Sequence, residues 1–521
     1  MLPLSNLVAL ATTLLTLPIS LASPSHYSPP SSTPSVNKTT CNGQTYTYES
    51  LAGYGFTPSA GLDKYGDNLG GIGSALYLDQ RAWKKHGKSY FGVLWGLPDR
   101  GWNTEGTLNY QPRVHKFYVY FTPNGSASAS SPAPPNLRLK YVDTIRFSGP
   151  DGTPCTGLDP DARGALRYPG FPDLPGATYT GDGFGGEGLG GHRVSVDSEG
   201  IVVNKDGSFW ISDEYGPYVY KFDRRGKMTA AIRPPDAFIP QRNGSESFNA
   251  ASPPRYDPDR ETIPEDPTSG RQNNQGFEGL TISPSGTTLS ILLQSALLQE
   301  GGESSSTRRN TRLLQYDISG RTPKYLAEYV VPLPEFLNAK GNTRVAAQSE
   351  LHYVSPTQFL VLARDSGAGH GQDDSLSLYR HIDVFDISSA TSIKSPSNDA
   401  VNGSIASASG VLDAGVTPAQ YCSWLDFNVN SQLNKFGLHN GGAQDAGLLN
   451  EKWESIGLVP VDGKSGKDGE WLLFSLSDND FVTQDGYMNG GKLHYADESG
   501  YNLDNQALVF KVSLPKGSRP V

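Results

Sequence analysis

The sequence predicts an all-β fold, a single β-propeller of four-stranded antiparallel blades, and three observations predict it. Glycine and proline, 59 and 38 residues, together make 97 of 521, about 19%, above the ordinary ~12% yet below the ~25–30% of low-complexity chains. Charged residues are 18% and aromatics 10%, a balance that suits short strands rather than long helices, whose surfaces need Lys, Glu and Arg. The third observation is a repeated order of elements. It narrows the two to four domains that this length allows to one ring.

The elements follow in chain order. Residues 1–22 carry an uncharged apolar run ending in Ser20-Leu21-Ala22, which reads as a secretory signal cleaved near Ala22, although no Lys or Arg precedes the run. A membrane anchor is the alternative; Pro18 interrupts the run, and it is short for a span. Residues 23–45 form a polar Ser/Pro-rich tail, and the propeller is expected over 46–521. Short β-type runs then recur, among them 114–121, 139–147, 209–223, 311–318, 325–331, 358–364, 381–387, 470–476 and 506–513. They alternate or are continuously apolar and end at Gly, Pro, Asp or Ser. Low-complexity inserts at 122–136, 242–272, 301–310 and 388–409 separate them.

Five copies can be traced. Their first strands open at Gly71-Ile72-Gly73-Ser74, Gly186-Glu187-Gly188-Leu189, Phe277-Glu278-Gly279-Leu280, Ser349-Glu350-Leu351 and Trp453-Glu454-Ser455-Ile456. The second strands end in polar clusters: Asp99-Arg100-Gly101, Asp213-Glu214-Tyr215, Gln294-Ser295, Arg364-Asp365-Ser366 and Asp478-Asn479-Asp480. A unit of this kind buries its faces only against neighbouring units, as a propeller blade does. The strand at 46–56 has no opening element, so it is expected to complete the last blade. A sixth, irregular blade in 410–450 stays open at this level, as does a β-sandwich with appendages.

Net charge is −10, which disfavours nucleic acid and anionic membrane as partners. An acidic protein binds an anionic substrate only where Arg, Lys or a cation is concentrated. Sequons at Asn37, Asn124, Asn243 and Asn402 suit N-glycans on a secreted monomer. Three cysteines, Cys41, Cys155 and Cys422, allow one disulfide, and the spacing leaves all three pairings open.

Several active sites are excluded. There is no G-x-S-x-G elbow, no H-E-x-x-H helix and no Arg-His-Gly run, and Gly463-Lys464-Ser465 lacks the upstream glycine of a P-loop. What remains is a repeated acid. First strands line a propeller's channel, so Glu187, Glu278, Glu350 and Glu454 are expected to converge. Grouped carboxylates repel unless a cation, Arg partners or shared protons intervene, and Ca²⁺ suits several oxygen ligands. The competing expectation is that each Glu accepts backbone N–H bonds from the next blade and holds the ring together. Glu187, Glu278, Asp213 and Asp365 are the candidate catalytic acids, and Arg100 and Arg364 the candidate substrate clamps. His192, His352 and His439 assemble no triad.

At these motifs the sequence resembles the phytase-like family, described as the esterase-like activity of phytase. The matching residues include Asp99-Arg100-Gly101, Phe184-Gly185-Gly186-Glu187-Gly188-Leu189, Trp210-Ile211-Ser212-Asp213-Glu214-Tyr215-Gly216-Pro217, Asn274-Gln275-Gly276-Phe277-Glu278-Gly279-Leu280 and Ser477-Asp478-Asn479-Asp480-Phe481. Trp453-Glu454-Ser455 departs from the family's usual Glu-Gly. The resemblance implies a secreted hydrolase of phosphate or related esters. A metal-dependent lactonase or carboxyl esterase and a non-catalytic ligand-binding propeller are the alternatives.

Overall fold

Five antiparallel sheets follow one another along the chain, as the repeat requires. The structure is a computed structural model that describes residues 35–521; the segment 1–22 read as a signal and residues 23–34 lie outside the described residues. Blade 1 comprises Ala75–Leu78, Ser89–Leu97, Arg113–Phe121 and Leu137–Arg146. Blade 2 is Ser198–Val203, Phe209–Asp213, Val219–Phe222 and Met228–Ile232. Blade 3 is Phe277–Ile282, Thr288–Leu293, Asn310–Asp317 and Lys324–Pro332. Blade 4 is Ala347–Tyr353, Gln358–Arg364, Arg380–Asp386 and Gln420–Asp426. Blade 5 takes Gly457–Pro460, Glu470–Leu476 and Asn505–Ser513 from late in the chain and Gln44–Thr57 from early in it.

The alternation of apolar residues explains why these strands stack radially. In blade 3, Ile291 and Leu293 pack with Val202, Trp210 and Val219 of blade 2, whereas the intervening Leu292 packs with Phe359, Val361 and Phe385 of blade 4. Successive side chains of a strand point to opposite faces, so a run such as Leu289–Leu293 feeds two interfaces at once. Each such side chain contributes about 1.5–3 kcal/mol by leaving water.

Three expectations are corrected. Segment 410–450 forms no sixth blade: Gln420–Asp426 is the outer strand of blade 4, and short helical turns follow at Asn430–Leu433 and Asn434–Phe436. The polar tail assigned to 23–45 does not extend that far, because Asn37–Cys41 pairs with Gln44–Thr57 as a fifth strand of blade 5. Its polar residues face outward, and Cys41 at its end is buried in a disulfide with Cys422 of blade 4, leaving Cys155 a buried free thiol. The first strand of blade 2 is Ser198–Val203, so Glu187 does not open it.

Further along the first strands the channel narrows. Leu76, Leu78, Ile201, Leu280, Leu351 and Ile456 crowd it, with Val521 packed among them. Among the described residues no helix is long and apolar enough to cross a membrane.

Candidate functional site

One irregularity, repeated around the ring, builds the site. The first strand of each blade begins with a β-bulge: Glu199 is the extra residue between Ser198 and Gly200, Glu278 between Phe277 and Gly279, and Ser349 between Gln348 and Glu350. In blade 1 both Gly73 and Ala75 pair with Leu97, which makes Ser74 the extra residue; in blade 5 the pairs Trp453–Ser477 and Gly457–Phe474 leave room for Glu454. A bulge re-aims its side chain away from the sheet, here toward the channel mouth. Glycine after the bulge is a packing requirement at Gly200 and Gly279, where a Cβ would lie 2.5 Å from Glu278 O and 2.7 Å from Leu351 Cβ.

A second set joins the first. Asp213, Leu293, Ala363 and Ser477 pair opposite the residue that precedes each bulge, and the next residues are Glu214, Gln294, Arg364 and Asp478. The mouth therefore collects Asp99, Asp197, Glu199, Glu214, Glu278, Glu454 and Asp478, with Asp480 beside them. Arg100, Lys452 and Arg364 answer them.

The acids divide by how well they are satisfied. Asp99, Asp478 and Asp480 lie within 4.8 Å of one another, but Lys452 Nζ stands 2.8 Å from Asp480 and 3.7 Å from Asp478. Ser74 Oγ donates to Asp478 at 2.6 Å, and the Gly101 amide donates to Asp99 at 3.0 Å. Asp197, Glu199 and Glu214 also lie within 4.8 Å of one another, all buried. Both Asp197 oxygens and Glu214 Oε1 have no hydrogen-bond partner, and the nearest cation is Arg100, 3.3 Å from Asp197 but out of line for a hydrogen bond. Glu278 Oε2 and Glu454 Oε2 are likewise buried without a partner.

Burial, followed by repulsion from Glu278, Asp197, Glu214 and Asp99, holds the Glu199 carboxyl well above its usual range. Burial and then Glu214 and Glu454 do the same to Glu278. Burial and then Asp197 push Glu214 up to about 8. An unpaired buried carboxylate costs several kcal/mol, so the Asp197–Glu199–Glu214 trio must take up protons or a cation. Its donors are all hard oxygens, the set that Ca²⁺ or a similar divalent ion takes.

The residues singled out from the sequence separate accordingly. Glu278 and Glu454 reach the mouth. Glu350 sits one residue past its bulge, and a one-residue slip turns a side chain to the opposite face; its Oε1 accepts the amides of Leu351 at 2.7 Å and of Leu280, in blade 3, at 3.3 Å. Glu187 is exposed in the glycine-rich loop before Gly191–Val194. Asp213 Oδ1 accepts the Asp197 and Tyr215 amides, and its Oδ2 accepts the Gly216 amide and Tyr220 Oη. Asp365 accepts Ser377 Oγ and the Leu378 amide. Arg100 and Arg364 both reach the mouth, Arg364 paired with Glu454 and 3.8 Å from Glu451. His352 is buried on the first strand of blade 4, His439 pairs with Asp445, and His192 lies 3.8 Å from Asp161.

Asp197 and Glu199 are the site residues that the repeat reading missed. The signal was present: Ser198-Glu199-Gly200-Ile201 matches Phe277-Glu278-Gly279-Leu280. A second Glu-Gly at Glu187-Gly188, twelve residues earlier, drew the alignment away.

The comparisons with known proteins bear on the same span. A family model described as Phytase-like, esterase-like activity of phytase, matches residues 92–481. The chain belongs to the phytase-like family. The matched span of this phytase-like chain contains every carboxylate of the mouth, from Asp99 to Asp480. The chain is 55% identical over 480 residues to an uncharacterized secreted protein of Arthroderma benhamiae, covering 90% of this chain and 94% of that one. Among solved structures, a luciferin-regenerating enzyme aligns at 9% identity and TM-score 0.28, covering 87% of this chain and 94% of its own. The periplasmic gluconolactonase of Pseudomonas aeruginosa aligns at 12% identity and TM-score 0.26, covering 91% and 99%. Scores this low carry nothing about the activity of the phytase-like chain.

Proposed function

We propose that this phytase-like protein is a secreted, cation-assisted hydrolase of phosphate or related esters, working at the carboxylate mouth of the propeller. The observation that carries the reading is the trio Asp197, Glu199 and Glu214, buried, mutually close and with three oxygens lacking a hydrogen-bond partner. The family's description, the secreted relative and the apolar leader of the sequence support the remainder. Calcium is the proposed ion, and its ligand set is this trio, with Glu278 and Glu454 adjacent, in place of a ring containing Glu187 and Glu350. When bound, the ion supplies positive charge against the phosphoryl oxygens.

The chain's own groups do the rest. Arg100 and Arg364 lie on either side of the acids and neutralise the substrate's charge. Glu278, with Oε2 free, is the general base: in its ionised form, which a bound cation's charge would favour against burial and the repulsion of Glu214 and Glu454, it would take a proton from the attacking water. Water adds to phosphorus, and the ester P–O bond breaks with its electron pair going to the alcohol oxygen, which receives the proton that Glu278 took from the water. Asp213 and Asp365, whose oxygens are engaged, position the loops of the mouth.

The test measures phosphate released from 4-nitrophenyl phosphate, beside a panel of carboxyl esters and lactones, with Ca²⁺ and after chelation. Chelator-sensitive phosphate release that Glu199→Gln abolishes is expected. Turnover of the ester or lactone panel alone replaces the phosphatase reading, and no turnover of any substrate overturns it in favour of a binding propeller.

A further inference from the structure

Beside the carboxylate mouth lies a cleft of about 370 Å³ between the loop at 301–309, the hairpin Glu335–Leu337/Thr343–Val345 and the loop that follows Arg364. Its cationic floor differs from the rest of the mouth. Arg308, Arg344 and Arg364 all line it. Arg364 is paired with Glu454, yet its Nε is buried without a partner. Arg308 has no carboxylate partner: its Nη2 reaches only the Val345 carbonyl, at 3.4 Å, and its Nε is buried and unpartnered. Burial, and after it the charge of the neighbouring Arg364, holds Arg308 below its usual range. Arg344 donates only to the adjacent Thr343 carbonyl. Of the two acids lining the cleft, Asp365 spends both oxygens on Ser377 and Leu378, and Asp374 is exposed at the rim. Arg308 and Arg344 are half-buried without a carboxylate partner beside the paired Arg364, and guanidiniums grouped in this way repel one another, which leaves room for an anion.

The rim is of opposite character. Leu376 and Leu378 line the cleft while 53% and 41% exposed, and Phe336, tilted against Tyr379 with ring centroids 6.0 Å apart, lines it with them. Grouped exposed apolar side chains beside a polar floor mark a ligand groove.

We propose that this cleft binds a phosphate monoester bearing an apolar arm, with the phosphate seated among Arg308, Arg344 and Arg364 and the arm against Phe336, Leu376 and Leu378. Arg308 and Arg344 have no carboxylate partner and offer two guanidiniums to a phosphate dianion, against the Asp365 and Asp374 carboxylates that also line the cleft. A polyphosphorylated polyol carries several dianions and no apolar arm, so it fits the cleft poorly. The proposal rests on the hydrolase reading only for what becomes of the ligand after it binds.

Calorimetric titration with phosphonates, whose P–C bond this chemistry does not cleave, separates binding from turnover. Phenylphosphonate is expected to bind at least tenfold more tightly than methylphosphonate and than phytate. Arg308→Gln is expected to weaken phenylphosphonate at least tenfold, with Arg308→Lys recovering part of the loss. Leu376→Ser with Leu378→Ser is expected to erase the preference for phenyl over methyl while leaving methylphosphonate binding in place. Unfolding midpoints are measured for each variant, and the Leu pair, exposed at the surface, supplies a test that does not depend on the arginine's fold. Equal affinity for phenyl- and methylphosphonate, tighter phytate binding, or unchanged binding by folded Arg308→Gln overturns the proposal. If phenylphosphonate binds as expected but no ester is turned over, the hydrolase reading falls and the cleft stands; ester turnover together with phenylphosphonate binding unchanged in folded Arg308→Gln gives the reverse.

Discussion

Glu350 offers the sharpest test of how the ring of acids divides into site and scaffold. Its Oε1 accepts two buried amides, Leu351 at 2.7 Å within the strand and Leu280 at 3.3 Å across to blade 3. Glu350→Ala strands both donors, and each unsatisfied buried N–H costs about 1–3 kcal/mol. The longer contact falls at the low end, so a loss of about 2–5 kcal/mol is expected. Glu350→Gln keeps the acceptor oxygen and removes a charge that burial disfavours, the cause that holds this carboxyl well above its usual range. Its expected change is within about 1 kcal/mol. Urea midpoints at a common m-value give the two differences. The thermal shift produced by Ca²⁺ is measured in parallel and is expected to be unchanged in Glu350→Gln and lost in Glu199→Gln. An alanine variant as stable as the glutamine one, or loss of the Ca²⁺ response in Glu350→Gln, would refute the assignment of Glu350 to the scaffold.

Other consequences are equally accessible. Gly73→Ala places a Cβ 2.1 Å from the Ser477 carbonyl at the junction of blades 1 and 5; backbone must move there, and a loss of about 1–3 kcal/mol in a denaturation curve is expected. Cys41→Ser opens a crosslink between residues 381 apart, with an expected cost of about 2–5 kcal/mol, and in the native protein a thiol reagent should leave the buried Cys155 untouched until unfolding. Burial lowers His352 to about 4 from its ordinary 6.5. The unfolded chain therefore binds this proton first as pH falls, so the stability from neutral His352 is complete above about 6.5 and is lost toward 4. That loss amounts to about 3 kcal/mol, and His352→Gln should flatten that part of a stability–pH profile.

Much of the fold was legible because a propeller is local. Blades 1 to 4 are each built from strands adjacent in sequence, and a near-continuous apolar run such as Leu289–Leu293 or Phe359–Ala363 reports that both faces of a strand are covered, since successive side chains point to opposite faces. The closing of blade 5 by the strand at 46–56 was legible for the same reason: the last copy lacked its partner. Less of the site was legible. Sequence marks an acid near the start of a strand but not whether it occupies the bulge, so Glu278 and Glu350 look equivalent although one faces the channel and the other bonds an amide of the preceding blade. The two Glu-Gly pairs, Glu187-Gly188 and Glu199-Gly200, likewise differ only in which one enters a sheet.

By itself the sequence determined the ring of short strands, the turn-rich composition that punctuates it and the concentration of acids and arginines at strand ends, because these follow from contacts between neighbouring residues. Tertiary structure alone decided which acids lack partners. Lys452 satisfies Asp478 and Asp480, backbone amides and Tyr220 Oη saturate Asp213, and no hydrogen-bond donor reaches Asp197, whose one close cation is Arg100 at 3.3 Å. That difference depends on distances between blades far apart in the chain, and a carboxylate's chemistry is set by the charges and donors around it in space.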